Sequence, residues 1–227
     1  MVAALIFDMD GVLADNSSAH AEAWTRFLAE QGARVRPGFS PQQTFGRRNA
    51  ELFADAFLAP PPPEEQAALA QRLEDLYWEI FEPRVRPLPG LRELLACARE
   101  RGLRCALATS APPANVAKLL AALQLEGAFA PVLTEADVTR GKPDPEIYLR
   151  AAARLRRPPG ECVVFEDAVA GVIAARAAGA HCVALTTTYP AAELQRAGAE
   201  LIVPDFTAPA LSEWLEWGDP AYSSAGS

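Results

Sequence analysis

The chain has 227 residues, half of them hydrophobic, and a formal net charge of −8 from 21 basic and 29 acidic side chains. That length suits one large α/β domain or a core with a smaller insert, and the acidic balance excludes a nucleic-acid-backbone binder, which needs a basic face. A small phosphorylated ligand stays open, because one lysine and a metal ion dominate the field of a small pocket.

The first apolar run, Val2 to Phe7, reads as a fully buried strand. It is too short for a membrane span or signal peptide and runs straight into acids, so neither is expected. It ends in Asp8, Asp10 and Gly11. Residues i and i+2 of an extended chain face the same side. Two acids are therefore expected together at the C-terminal end of a buried strand, where open α/β sheets bind their ligands. Nucleophilic attack on phosphorus fits this pair. Asp8 would form an aspartyl-phosphate. Asp10 would protonate the leaving oxygen and then take a proton from the hydrolytic water. A carboxylate approaching a phosphate dianion needs cations beside it, so Mg²⁺, further acids to hold it, and a lysine are expected elsewhere.

Asn16, Ser17 and Ser18 are N-cap candidates for a helix that runs through Trp24, Phe27 and Leu28 and ends at Gly32. Pro37-Gly38 is a turn, and residues 40 to 58 read as helical around Phe45, Leu52, Phe53 and Phe57. The run Pro60 to Pro63 is a stiff connector that starts the next helix, Glu64 to Phe81, with Leu69, Leu73, Leu76 and Ile80 on one side. Residues 16–83 thus read as a helical cap without strands.

From Pro87 the pattern alternates helix and strand. Helices are expected over Gly90 to Arg101, Pro113 to Leu123, Glu146 to Leu155 and Val169 to Ala178, with a last one near Trp214. Strands are expected over Leu103 to Ala108, Pro131 to Thr134, Cys162 to Phe165, His181 to Leu185 and Leu201 to Val203. Residues 1–15 and 84–219 form the core in this reading, and 220–227 a disordered tail. Cys97, Cys105, Cys162 and Cys182 make no Cys-x-x-Cys pair and sit in or near apolar segments, as buried reduced thiols of a cytoplasmic protein do.

A parallel sheet brings its C-terminal strand ends to one edge. Thr109 and Ser110, Glu166 and Asp167, and the loop residue Lys142 would then join Asp8 and Asp10. The Thr109 hydroxyl and the Ser110 N–H would bind phosphoryl oxygens, and Lys142 would neutralise nucleophile and phosphoryl group. Glu166 and Asp167 would serve Mg²⁺. Adjacent residues of an extended chain diverge, so one of the pair is expected to bind directly and the other through water; Asp167 is taken as the direct ligand, and direct ligation by Glu166 stays open. Singly, Thr109 reads as a plain cap and Lys142 as a solvated loop residue; in this order, together, they read as one site.

The set Phe7-Asp8-Met9-Asp10-Gly11-Val12, Thr109-Ser110, Gly141-Lys142-Pro143-Asp144-Pro145 and Phe165-Glu166-Asp167 resembles the haloacid dehalogenase-like hydrolase superfamily along nearly the whole chain. The resemblance implies an α/β fold, a Rossmann-like parallel sheet flanked by helices with an inserted all-helical cap. It also implies Mg²⁺ held by Asp8, the Asp10 carbonyl and Asp167. The true dehalogenases lack the second acid, so Asp10 points to phosphoryl transfer. Ala168 stands where that superfamily commonly has serine.

His20 with Ala23-Trp24, and Gly46-Arg47-Arg48-Asn49, are similar to the beta-phosphoglucomutase subgroup. There the histidine positions the acid/base, and Arg47 or Arg48 would touch a phosphate. That subgroup carries a cap lysine where Leu73 aligns. A mutase must grip two phosphates, so its loss favours a phosphatase acting on a small phosphorylated sugar-like metabolite, as monomer or weak dimer. A phosphosugar mutase is the alternative. A phospho-acceptor signalling domain or a non-catalytic phosphate binder fits less well, because neither accounts for the helical insert together with the intact Asp8, Asp10, Lys142 and Asp167.

Overall fold

The computed structural model describes residues 2–40 and 49–216. β1, Ala4–Phe7, stands at the centre of a six-stranded sheet. Around it run β2 (Arg104–Ala108), β3 (Val132–Leu133), β4 (Cys162–Glu166), β5 (His181–Leu185) and β6 (Leu201–Val203), in the order β3-β2-β1-β4-β5-β6. All five pairings are parallel. The near-continuous apolar content of β1 and β4 follows from this, because strands inside a parallel sheet are covered on both faces. Every residue of both strands is buried.

The side-chain alternation of the strands decides what lies beneath the site. On one face Phe7 stacks on Phe165 at 4.8 Å, and both pack against Phe206. On the other, Ala4, Ile6, Cys162, Val164, Cys182 and Ala184 pack with Ile147, Tyr148, Ala151, Val172 and Ala175. Those partners belong to α6 (Glu146–Leu155) and α7 (Val169–Ala177). The helices α4 (Leu91–Glu100), α5 (Pro113–Ala122), α8 (Ala191–Ala197) and α9 (Pro209–Trp214) complete the set of α-helices among the described residues of this part of the chain. Helix α8 has no counterpart in the sequence reading: seven residues with only Leu194 buried give almost no apolar periodicity.

The chain divides into two compact units, Met1–Asp15 with Arg86–Ser227, and Asn16–Val85. Within the first, the Leu88 N–H donates to the Leu13 carbonyl at 2.9 Å, so the segments leading out of and back into this unit lie side by side. The second unit holds α1 (Ser17–Gln31), α2 (Asn49–Ala56) and α3 (Pro63–Phe81). Its rings interlock: Trp24 meets Phe27 edge-on, Phe27 stacks on Phe53, and Phe53 meets Phe57 edge-on. Gly32 ends α1 with φ 56, a conformation that suits glycine. Asn16 precedes α1 but makes no side-chain cap. Its Nδ2 donates instead to the Tyr77 hydroxyl at 2.8 Å, tying α1 to α3. The 40–58 reading is met by α2 over its later part, and its earlier part, with Phe45, Arg47 and Arg48, lies outside the described residues, as does the tail after 216. Among the described residues no helix is long and apolar enough to cross a membrane.

Candidate active site

The register Phe7↔Phe165 carries one residue further to set Asp8 beside Glu166, and the Asp8 N–H donates to the Phe165 carbonyl at 3.0 Å. Neighbours in register on parallel strands share a face, so both carboxylates point to the α6/α7 side. Asp8 is 4 % exposed and Glu166 0 %. β1 ends at Phe7, and the Val12 and Leu13 N–H groups both return to the Met9 carbonyl. Asp10 therefore sits in a turn, half-buried, rather than on an extended strand; its charge still adds to the forces on Asp8.

Lys142 comes from the loop before α6 and is 2 % exposed. Its Nζ donates to Asp8 Oδ1 at 2.6 Å, to Glu166 Oε1 at 2.7 Å and to the Ala108 carbonyl at 3.4 Å. A lysine this deeply buried needs such partners to stay charged. Burial works against the ammonium, but the Asp8 and Glu166 carboxylates outweigh it and hold Lys142 above its ordinary range. The loop is strapped by Glu146, whose Oε2 accepts from the Thr139 and Arg140 N–H groups and from the Thr139 hydroxyl. These bonds, the Arg140 N–H first, push the Glu146 carboxyl down to about 2.

Burial pushes the Asp8 carboxyl up to about 7 even with Lys142 beside it. Burial likewise raises Asp167 well above the usual carboxylate range, reinforced by Glu166 and Asp8. Ligand oxygens of Asp8, Glu166 and Asp167 lie within 4.8 Å of one another. Hard oxygen donors that are costly to ionise alone fit a divalent cation such as Mg²⁺. Glu166 spends all four of its acceptor positions on protein donors: Lys142 Nζ and the Tyr148 hydroxyl on Oε1, and the Asp167 and Ala168 N–H groups on Oε2.

Thr109 is 1 % exposed, and its hydroxyl oxygen accepts from the Ala111 N–H at 3.1 Å. An oxygen that accepts in this way still carries its own O–H to donate. Ser110 follows it, half-buried. In the other unit the His20 ring stacks on Tyr77 at 4.1 Å, and Leu73 is 4 % exposed.

Three residues around the site, Tyr148, Thr187 and Gly171, go beyond the sequence reading, and Gly11 gains a packing role. Tyr148 donates to Glu166 Oε1 at 2.5 Å. Thr187, two residues past β5, donates to the Gly11 carbonyl at 2.7 Å and lies 3.4 Å from Asp167 Oδ2. Gly11 has φ +68, and a Cβ there would overlap the Asp167 carboxylate. A Cβ on Gly171 would overlap the Glu166 carboxylate. Tyr148 reads as core in an amphipathic helix. Two signals were present for others: the hydroxyl run Thr186-Thr187-Thr188 directly after a strand, and a glycine within an alanine-rich helix, where it costs up to about 1 kcal/mol against alanine without a packing reason.

Residues 2–179 match the haloacid dehalogenase-like hydrolase family. The chain is 33 % identical over 207 residues to validoxylamine A 7'-phosphate phosphatase of Streptomyces hygroscopicus subsp. limoneus, covering 89 % of this chain and 93 % of that protein. It is 30 % identical over 229 residues to beta-phosphoglucomutase of Bacillus subtilis, covering 94 % and 95 %. A hydrolase from Pseudomonas syringae, 28 % identical, superposes with a TM-score of 0.80 over 95 % of this chain and 99 % of that one. With its parallel sheet and clustered carboxylates, the chain belongs to the haloacid dehalogenase-like hydrolase superfamily, in its beta-phosphoglucomutase-like subgroup.

Proposed function

We propose that this phosphatase of the superfamily depends on Mg²⁺ and removes phosphate from a small phosphorylated, sugar-like metabolite through an aspartyl-phosphate on Asp8. The observation that carries the reading is Lys142 Nζ at 2.6 Å from Asp8 Oδ1, with both side chains buried. A nucleophilic carboxylate with an ammonium at hydrogen-bond distance is the arrangement that attack on an anionic phosphoryl group needs.

In this reading Asp8 Oδ bonds to phosphorus while the ester P–O bond breaks, and Asp10 gives the departing oxygen its proton. Asp10 then removes a proton from the water that cleaves the acyl phosphate, releasing phosphate and restoring Asp8. Lys142, the Thr109 hydroxyl and the Ser110 N–H hold the phosphoryl oxygens. Asp8, the Asp10 carbonyl and Asp167 would hold Mg²⁺, with Glu166 beside them; bound there, it would supply positive charge against the phosphoryl oxygens.

The unit Asn16–Val85 is proposed as the cap that shields the reaction from water and sets substrate choice, through His20 and through Arg47 and Arg48. A phosphatase is favoured over a mutase by the cations available. The chain has two lysines, Lys118 and Lys142, so none falls in that unit, and Leu73 fills the position where the subgroup carries one. The four cysteines are unpaired, and burial pushes Cys162 up to about 11 and Cys105 up to about 12, as suits inert thiols of a reducing cytoplasm. The proposal includes a monomer or weak dimer, with no nucleic-acid or membrane partner.

Phosphorus NMR tests it. The protein is incubated with Mg²⁺, a trace of sugar bisphosphate and beta-glucose 1-phosphate, then with a panel of phosphorylated sugars and polyols. Inorganic phosphate as sole product supports the phosphatase, glucose 6-phosphate establishes the mutase instead, and no phosphate from any member sinks both. Asp8→Asn is expected to bind Mg²⁺ weakly and release no phosphate; retained turnover in that variant removes Asp8 as nucleophile.

A further inference from the structure

The proposed chemistry uses Lys142 but leaves open what aims it. Its ammonium is shared between two acceptors, Asp8 Oδ1 at 2.6 Å and Glu166 Oε1 at 2.7 Å. Only the first touches the reaction. The second sets where the ammonium stands, so whatever fixes Glu166 fixes Lys142.

Glu166 is fixed from three sides. Its own chain supplies the Asp167 and Ala168 N–H groups to Oε2, at 3.0 and 3.1 Å. From α7, Gly171 leaves the space that the carboxylate fills. From α6, the Tyr148 hydroxyl donates to Oε1 at 2.5 Å. Tyr148 is 1 % exposed, and Lys142 Nζ lies 4.9 Å from its ring centroid. One side chain thus contacts the carboxylate through its hydroxyl and the ammonium through its ring face, an attractive placement for a cation. Burial, then the Glu166 and Asp8 charges, raise the phenol well above its ordinary range, which keeps it a donor.

We propose that Tyr148 is a positioning residue of this phosphatase: by saturating Glu166 it commits that carboxylate to Lys142 and so aims the ammonium at the Asp8 oxygen. The proposal rests on Asp8 as the nucleophile only for its kinetic arm. Its structural arm concerns the metal-free protein and stands apart from any activity.

The test is Tyr148→Phe, which keeps the ring and removes the donor. Two lysines in the chain make the structural readout simple. In protein labelled with ¹⁵N-lysine and free of Mg²⁺, the exposed Lys118 ammonium exchanges fast with water and the buried Lys142 signal stands alone. In the variant that signal is expected to shift and its hydrogen exchange to accelerate. With Mg²⁺ and a cleaved substrate, kcat is expected to fall about tenfold while KM moves less than about twofold, the size of effect seen when a supporting partner of a site residue is lost.

An unchanged Lys142 signal with kcat within about twofold of the parent overturns the proposal. A fall in kcat with an unchanged Lys142 signal overturns it too, because the loss then runs through another group. If the protein cleaves no phosphate ester at all, the proposed function fails while the lysine signal still decides this inference. Tyr148→Phe placed on Glu166→Gln supplies the control: it is expected to add less than about twofold, and an undiminished further loss shows that Tyr148 does not act through Glu166.

Discussion

Gly171, the third residue of α7, has the carboxylate of Glu166 in the place of a side chain; any Cβ there would collide with that group. Glycine-to-alanine changes inside helices ordinarily stabilise by about 1 kcal/mol. Here the sign is expected to reverse. Gly171→Ala must push aside a carboxylate held by four hydrogen bonds. A destabilisation of about 1–3 kcal/mol and a fall in phosphate release of at least about tenfold are expected, read by urea unfolding and a phosphate assay. A stabilised, fully active variant would show that Glu166 moves freely.

Lys142→Met removes the cation shared by two buried carboxylates. Breaking a buried pair from one side costs about 3–5 kcal/mol, and turnover is expected to vanish. The deficit has a pH dependence. Without its cation, Asp8 resists ionisation further, so the variant suffers most at high pH and recovers toward its parent as pH falls and Asp8 takes a proton. Urea unfolding at about pH 5 and pH 8 measures this; an equal deficit at both would mean that Asp8 is not the group left exposed to the loss. Lys142→Arg is not expected to rescue, because a planar guanidinium does not fit a point-charge site this enclosed.

Mg²⁺ binding is expected to strengthen as pH rises. Burial pushes Asp8 up to about 7 in the metal-free protein and holds Asp167 high as well. A cation binds the ionised forms, so each proton displaced weakens apparent affinity up to about tenfold per pH unit below the carboxyl's own value. Calorimetry between about pH 6 and pH 8, in two buffers of different ionisation heat, reads both the affinity and the protons released. A flat profile would mean that Asp8 is already ionised before the metal arrives.

The acid limb of stability is expected to carry a signature of Glu146. Its folded value, about 2, lies below the ordinary 4.5. The stabilisation is therefore present above pH 4.5 and lost as pH falls through about 2. Glu146→Gln keeps the shape but weakens the hold on the Thr139 and Arg140 N–H groups. Its melting temperature is expected to lie below the parent's at neutral pH and to converge with it toward about pH 2. Parallel curves over the whole range would assign the Glu146 effect to packing.

Much of this was legible because the chemistry interrupts strong patterns. Asp8 follows six residues of an apolar run, and Glu166 and Asp167 end another; acids there have no packing explanation. The parallel topology then fixes their common edge, and the structure sets Asp8 beside Glu166 by register. Lys142 was legible only by company, since nothing local to its loop shows that it is buried. Tyr148, Gly171 and Thr187 were hidden for the opposite reason. A tyrosine on the apolar side of a helix, a glycine among alanines and a threonine in a loop fit the local pattern, and their roles come from partners 18, 5 and 20 residues away. The turn at Asp10 was obscured too: extending a strand rule two residues past Phe7 overlooks the hydrogen bonds that close on Met9.

The bond between the Leu88 N–H and the Leu13 carbonyl makes the helical unit a graft on a finished scaffold. Because the core already brings the two stumps together, closing it without the insert costs little chain entropy, and exchanging the insert leaves every strand pairing untouched. Replacing the residues between them by a short flexible bridge is expected to leave the sheet and the Asp8–Lys142–Glu166 cluster folded. With the helical unit proposed as the part that sets substrate choice, reaction type and substrate choice would then be separately heritable, the first written in the sheet edge and the second in a part that evolution can swap whole.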